Sequence, residues 1–136
     1  MSSAANRKKP GPNDPPIDTG FKDPFEIVDL ASVPGVPCPC GSSRRAFMRP
    51  DNPLVSVHMV DIKADAKAHY HKYMTETYYF LECEGPCHME LNGKLHPVKP
   101  GVAIMIRPGT RHRAVGKMRI LNIVVPPFDH EDEWFD

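Results

Sequence analysis

The chain has no long apolar run and no excess of charge of either sign. Its longest apolar stretches are residues 102–106 and 120–125, and both are far shorter than the ~20 residues of a membrane-spanning helix. Lysine plus arginine number 17, as do aspartate plus glutamate, so the formal net charge is zero. Such a balance gives no electrostatic attraction to nucleic acid or to an anionic membrane. We therefore expect neither as a partner, and expect a small-molecule ligand or substrate.

An apolar targeting segment is also lacking. The basic residues 7–9 are followed by proline-rich sequence, so we expect no secretory signal peptide and a cytoplasmic location. In that compartment Cys38, Cys40, Cys83 and Cys87 are expected to be thiols or metal ligands and not disulfides. Their CxC and CxxxC spacings differ from the paired CxxC of zinc sites, which argues against a four-cysteine zinc site.

Helical periodicity is the third absence. Sixteen prolines and nine glycines argue against a helical bundle, and residues 54–125 show no 3.6-residue apolar repeat. Runs of β-branched and aromatic residues alternate instead with turns, of which Asn92 and Gly93 are the strongest hairpin signal. The predicted strands are residues 54–62, 77–82, 87–91, 94–98, 102–106, 114–115 and 118–125. This pattern predicts an all-β sandwich or small barrel.

The N-terminal third differs in composition from the rest. Residues 1–24 hold five of the sixteen prolines and little apolar surface, so we predict a disordered tail. Residues 25–53 are predicted to be a loop-rich arm. Within it, FEIVDL (residues 25–30) is predicted to be one edge strand that adds to the barrel or swaps into a neighbouring subunit. The proline-dense VPGVPCPCG (residues 33–41) is predicted to be loop.

The remaining chain is predicted to form one domain with a short tail. Residues 54–127 carry the strands of the barrel, and residues 128–136 form an acidic tail. Trp134 and Phe135 in that tail are expected to pack on the barrel or on a partner. Single-domain barrels with such arms commonly dimerise, so we expect a homodimer.

The segment AHYHKYMTE is the most informative stretch of chemistry. His69 and His71 are two residues apart, so on a strand they share one face, with Cβ atoms roughly 7 Å apart. Glu76 can join them only if the chain turns after His71 and Glu76 begins the next strand. His112 follows a turn at residues 107–110, and a closed barrel can bring it against the first pair.

Three imidazoles and one carboxylate form a nitrogen and oxygen donor set. Such a set suits Fe(II), Mn, Co, Ni, Cu or Zn and fits Mg or Ca poorly. Four protein ligands on an octahedral ion leave two positions open for water or substrate, which separates a reactive site from a structural one. The alternative is that the three histidines line a metal-free cavity.

The same residues resemble the two motifs of the cupin superfamily, G-x5-H-x-H-x3/4-E-x6-G and G-x5-P-x-G-x2-H-x3-N. The matching positions are His69, His71 and Glu76 in the first motif and Gly101, Gly109 and His112 in the second. The departures are Lys63 and Cys83 at the two glycines of the first motif, and Arg107 and Gly116 at the proline and asparagine of the second. All four ligand positions are kept, whereas several turn positions are not.

The resemblance implies a fold and a range of functions. The fold is a double-stranded β-helix barrel of short antiparallel strands, holding one divalent metal at His69, His71, Glu76 and His112, with Fe2+ or Mn2+ favoured and Zn2+, Ni2+, Co2+ or Cu2+ as alternatives. The family includes dioxygenases, isomerases and decarboxylases. We therefore expect a mononuclear metalloenzyme, of dioxygenase or isomerase type, acting on a small oxygenated or anionic molecule. A non-catalytic binding or sensing module, and an interaction protein that uses its tails, remain as alternatives.

Four further residues are candidates for the wall of the cavity. Tyr78 and Phe80 share the parity of Glu76 and should face inward, where Tyr78 can donate a hydrogen bond. His58 lies on a predicted strand whose inner face can also reach the cavity. Arg107 lies in the turn before His112, and an inward-facing guanidinium there would select an anionic substrate such as a carboxylate.

Overall fold

The structure, a computed structural model, describes residues 9–63 and 65–136. This part of the chain contains seven strands and two short 3₁₀ turns, at Leu30–Ser32 and His130–Asp132. The strands are β1 Val36–Cys38, β2 Gly41–Ala46, β3 Ser56–Ile62, β4 Thr75–Leu91, β5 Lys94–Val98, β6 Ala103–Ile106 and β7 His112–Val125. The predicted all-β class is confirmed. Within the described residues, no helix has the length and apolarity that a membrane crossing requires.

All the strand pairs are antiparallel, and β4 is the element that curls the sheet. The strand order is β1-β2-β3-β7-β4-β5, and β6 pairs with β4 as well. The first half of β4 pairs with β6 and the second half with β5, while β7 runs along its whole length. Glu76 lies beside Val124 at one end of β7, yet its Oε2 is 3.0 Å from Nε2 of His112 at the other end. The sheet therefore rolls until the two ends of β7 share one interior.

Two pairs of predicted strands are joined in the structure. Residues 77–82 and 87–91 both belong to β4, which has bulges between Phe80 and Glu82 and between Glu84 and His88. Residues 114–115 and 118–125 both belong to β7, which continues through the two residues between these predicted strands. Gly116 has φ 112° there, and a Cβ atom on it would lie 2.7 Å from the carbonyl oxygen of Pro86. Glycine thus lets β7 pass close to the bulge of β4 without turning.

The arm contains a different strand from the predicted one. FEIVDL (residues 25–30) forms no strand, and its Phe25 and Ile27 are 70% and 86% exposed. The proline-dense segment that was predicted to be loop forms β1 and the start of β2 instead. β1 and β2 form a hairpin that pairs with β3 through β2. This leaves β1 as the edge strand, a position that tolerates proline. At Gly41 a Cβ atom would clash with the carbonyl oxygen of Asp61, so only glycine allows this approach.

Two other predictions concern the hairpin turn and the tails. Asn92 and Gly93 connect β4 to β5 with φ 48° and 83°, the positive values of a type I′ turn, so the predicted hairpin is confirmed. In the acidic tail, Trp134 forms a β-bridge with Tyr70 on the barrel. The predicted disorder of residues 1–24, of which 1–8 lie outside the described residues, stays a prediction.

The interior has an apolar part formed by alternate residues of neighbouring strands. Phe80 and Met89 on β4 are fully buried, and Ile120 on β7 is 1% exposed. Val60 and Ile62 on β3 complete this side of the core. The inward faces of β4 and β7 also carry polar residues. These form a second, polar part of the interior.

Candidate metal centre

The four predicted ligands converge inside the barrel. Glu76 is the second residue of β4 and His112 the first of β7, while His69 exchanges two backbone hydrogen bonds with His112. One donor atom from each of the four side chains lies within 4.8 Å of all the others. His71, Glu76 and His112 are buried, and His69 is half-buried. The chain also turns between His71 and Glu76, as the sequence analysis required.

The three imidazole rings are oriented by backbone carbonyl groups. In each ring Nδ1 contacts a carbonyl oxygen, which can only accept a hydrogen bond, so Nδ1 carries the proton. The acceptors are Lys67 for His69 at 3.3 Å, Asp132 for His71 at 2.6 Å and Thr110 for His112 at 2.8 Å. In the neutral ring this leaves the Nε2 lone pair free, which is how metal-binding histidines are commonly held.

Glu76 faces two of these rings with one carboxylate oxygen. Its Oε2 lies 3.0 Å from Nε2 of His112 and 3.2 Å from Nε2 of His71, and its Oε1 accepts a hydrogen bond from Asn122. Burial raises the pKa of Glu76, but the hydrogen bonds and charges of His112 and His71 outweigh it and hold that pKa well below its usual range. Nε2 of His71 is buried and lacks a well-aligned hydrogen bond. An ionised carboxylate beside buried imidazole nitrogens fits a divalent cation.

The pKa values of His69 and His71 shift in opposite directions. Burial and the nearby charge of His112 lower the pKa of His69. Burial also acts to lower the pKa of His71, but the hydrogen bond and charge of Glu76 raise it overall. A metal ion would compete with protons at these nitrogens, so metal binding should weaken as the pH falls.

The C-terminal segment holds the connection between His71 and Glu76. The buried carboxylate of Asp132 accepts hydrogen bonds from the backbone N–H groups of residues 72–74 and from Nε1 of Trp134. Burial acts to raise the pKa of Asp132, but these hydrogen bonds lower it overall. The sequence analysis did not single out Asp132, because nothing local distinguishes it from the other acidic residues of the tail.

A cavity of about 240 Å³ opens beside the cluster. Of the four predicted wall residues, Tyr78 and His58 line it. Phe80 does not, because the inner face of β4 has already reached the apolar core at that position, and Phe80 is fully buried there. Arg107 does not either, because it lies exposed in the turn before His112. The expectation that these two residues wall the cavity is therefore wrong.

The structure also brings polar residues to the cavity that the sequence analysis missed. Asn122 interrupts the apolar run of β7 between two inward-facing residues, and that interruption was a usable signal. Arg45 lines the cavity from β2, a strand that was not predicted. The position of Arg45 could not be inferred without the strand.

The four cysteines are free thiols, as expected. Cys38 and Cys40 line the cavity with their Sγ atoms 3.2 Å apart. Burial and the hydrogen bond with Cys38 raise the pKa of Cys40 to about 12, so this thiol stays protonated at neutral pH. Cys83 and Cys87 pack against the apolar core.

Comparison with known families identifies the class of protein. Residues 57–124 match the Cupin domain family, which is half of the chain. The chain therefore belongs to the cupin family, and the predicted cupin barrel is confirmed.

Three known proteins show the range of its relatives. L-ectoine synthase of Shouchella clausii is 31% identical over 93 residues, covering 66% of this chain and 69% of the relative. A crystal structure of a protein from Planctomyces limnophilus is 40% identical with a TM-score of 0.80, covering 87% of this chain and all of the other. Pac13 of Streptomyces, described as a nucleoside dehydratase, is 18% identical with a TM-score of 0.70, covering 80% and 88%. At that identity Pac13 supports the fold alone.

Proposed function

We propose that the protein is a mononuclear metal-dependent enzyme that acts on a small oxygenated or anionic molecule. The observation that carries this proposal is the convergence of three imidazoles and one carboxylate within 4.8 Å, beside a cavity of about 240 Å³. That volume is slightly below the about 300–1,000 Å³ of pockets for drug-sized ligands, so the substrate should be smaller than those.

His69, His71, Glu76 and His112 would hold one divalent transition metal. The donors are nitrogen and oxygen without sulfur, a set that suits Fe2+, Mn2+, Zn2+, Ni2+, Co2+ or Cu2+. Among these, the resemblance to cupins favours Fe2+ or Mn2+. Such an ion supplies Lewis acidity or dioxygen activation. The carbonyl groups that fix the three rings would keep the ligands in place while a substrate binds.

Tyr78 and His58 would act on the substrate as hydrogen-bonding groups. Burial raises the pKa of Tyr78 well above its usual value, so its hydroxyl stays protonated and can donate. Nε2 of His58 is hydrogen-bonded at 2.7 Å to the hydroxyl of Ser56, which also accepts from the backbone N–H of Phe128. With that nitrogen engaged and its pKa lowered to about 4 by burial and the charge of Arg45, His58 is poorly suited to act as a general base. This favours metal-centred chemistry.

The names of the relatives widen the set of reactions to test. One relative is an ectoine synthase, and the barrel of a nucleoside dehydratase shares the fold, so the fold accommodates removal of water. We therefore propose dioxygenase-type chemistry or another metal-centred reaction, such as elimination or isomerisation. A cytoplasmic location and a homodimer remain our predictions.

Elemental analysis tests the proposal most simply. The full chain is purified without a histidine tag or chelator, beside His112→Ala and the control His96→Ala, which removes a histidine of β5 outside the cluster. We expect one transition-metal ion per chain in the wild type and in His96→Ala, and almost none in His112→Ala. A wild type that takes up no metal under reconstitution would contradict the proposal.

Activity assays then separate an enzyme from a binding module. Oxygen consumption and product formation are followed for the metal-loaded wild type with small carboxylates, phenols and nucleosides. We expect turnover with at least one class, and loss of that turnover in His112→Ala. Full metal occupancy and tight ligand binding without any turnover would instead favour the binding module.

A further inference from the structure

One row of polar side chains crosses the inner face of the sheet. Arg45 on β2 is paired with His58 on β3, His58 with Asn122 on β7, and Asn122 with Tyr78 on β4. Directly paired residues of this kind have Cβ atoms about 4.5–5.5 Å apart and point to the same side. All four residues line the cavity. Asn122 also donates to Glu76, which connects the row to the candidate metal centre.

Arg45 stands out in this row because nothing in the described chain neutralises it. Its Nε is buried and has no hydrogen-bond partner, and no carboxylate lies within 4.0 Å of its guanidinium among residues 9–63 and 65–136. The guanidinium carbon lies 4.7 Å from the ring centroid of Phe128, so the group packs against that ring. Arg45 is half-buried, and a charge with little access to water is stabilised by pairing, so an anionic ligand is the simplest partner for it.

Neither of the two carboxylates that line the cavity contacts Arg45. Glu76 contacts His71, His112 and Asn122. Glu133 lies 3.8 Å from Nε2 of His69. Arg45 is also the only lysine or arginine among the described residues that line the cavity. A negatively charged ligand would therefore find a single fixed cation at the end of the row opposite Tyr78.

We propose that Arg45 is the carboxylate-binding residue of this cavity. The planar guanidinium, packed against Phe128, can bind a carboxylate by two parallel hydrogen bonds from its two terminal nitrogens. The rest of the substrate then lies along His58 and Asn122, with a second oxygenated group facing the four-residue cluster. The inference rests on the proposed function because it assigns the substrate class of that same site.

Ligand pairs that differ by one charge test the assignment. Malonate, succinate and glutarate are titrated calorimetrically into the metal-loaded full chain, each beside its monoamide, so that one carboxylate is always left for the metal. We expect at least one diacid to bind the wild type about 10- to 100-fold more tightly than its monoamide, the range for hydrogen bonds to a charged group. In Arg45→Gln that preference should disappear, and in Arg45→Lys it should be partly kept because the charge remains without the planar fork.

Matched controls separate this proposal from the metal proposal. Arg44→Gln removes the same charge from the preceding residue of β2, whose side chain donates to the carbonyl oxygen of Ala31 and does not line the cavity. It should keep the wild-type preference, and every Arg44 and Arg45 variant should keep the wild-type metal content. Equal binding of each diacid and its monoamide by the wild type, or an unchanged preference in Arg45→Gln, would overturn the role of Arg45 even with full metal occupancy. Binding of inorganic phosphate but of no carboxylate would also overturn the assigned class.

Discussion

The barrel interior has an apolar part and a polar part, and both are built on the same strands. They differ in whether their side chains hold buried nitrogen or oxygen atoms without a hydrogen-bond partner. The apolar part includes Phe80, Met89, Val98 and Met118, none of which lines the cavity. The polar part consists of Arg45, His71, Glu76, His112 and Asn122. Buried nitrogen or oxygen atoms without a partner occur at three side chains of the described residues, and all three belong to the polar part: Arg45, His71 and Asn122. Such atoms cost stability, so their concentration at one place indicates a binding function.

The apolar part should show the largest effect on stability. Phe80 is fully buried, so Phe80→Ala should lower the free energy of unfolding by about 3–5 kcal/mol through lost burial and a cavity. Urea unfolding followed by fluorescence measures this loss. The control Tyr79→Ala removes the neighbouring side chain, which is 42% exposed and should matter by less than about 1 kcal/mol. Equal losses in both variants would remove the distinction between the core and the outer face of β4.

Metal binding in the polar part should raise the free energy of unfolding of the whole protein. Because an ion that binds the folded chain stabilises it, a metal at 100 times its dissociation constant should add about 3 kcal/mol to the wild type. Thermal unfolding with and without added Mn2+ measures this gain, which His112→Ala should lack. A gain of the same size in His112→Ala would show that the ion acts at a different place.

The pH dependence of stability should differ between wild type and His58→Gln. Burial and the charge of Arg45 lower the pKa of His58 from 6.5 to about 4 in the folded protein. Between these pH values the unfolded chain binds more protons than the folded protein does. The contribution of His58 to the free energy of unfolding is therefore fully present above pH 6.5 and is lost as the pH falls to about 4. The loss from this group should reach up to about 3 kcal/mol. Unfolding at pH 7 and pH 4.5 should therefore show a smaller decrease in His58→Gln, and equal decreases would contradict a buried neutral His58.

The smallest expected loss of stability comes from a conservative substitution in the apolar part. Such a variant tests whether the apolar part affects metal binding. Val98→Ala removes two methyl groups from a side chain of the apolar part that is 8% exposed and does not line the cavity, so it should cost about 1–2 kcal/mol. Its metal content by elemental analysis should equal that of the wild type. A loss of metal in this variant would mean that the two parts of the interior are mechanically coupled.

The sequence predicted the local features of the fold well and the long-range ones unevenly. The HxH pair, Glu76 and His112 could be grouped because strand parity and the turn before His112 are local signals. The continuity of β4 across its bulge could not be predicted, since it depends on the close approach of Gly116 on β7, which is distant in sequence. Proline composition was misleading at β1, where an edge position makes proline acceptable. Arg45 and Asp132 were missed because their roles depend on contacts with residues far along the chain.

Anomalous X-ray diffraction from metal-loaded crystals tests the central claim most directly. The account predicts one ion about 2.0–2.2 Å from Nε2 of His69, His71 and His112 and from a carboxylate oxygen of Glu76, as typical metal–ligand distances require. An ion bound through Nδ1 atoms, or bound away from these four residues, would contradict it.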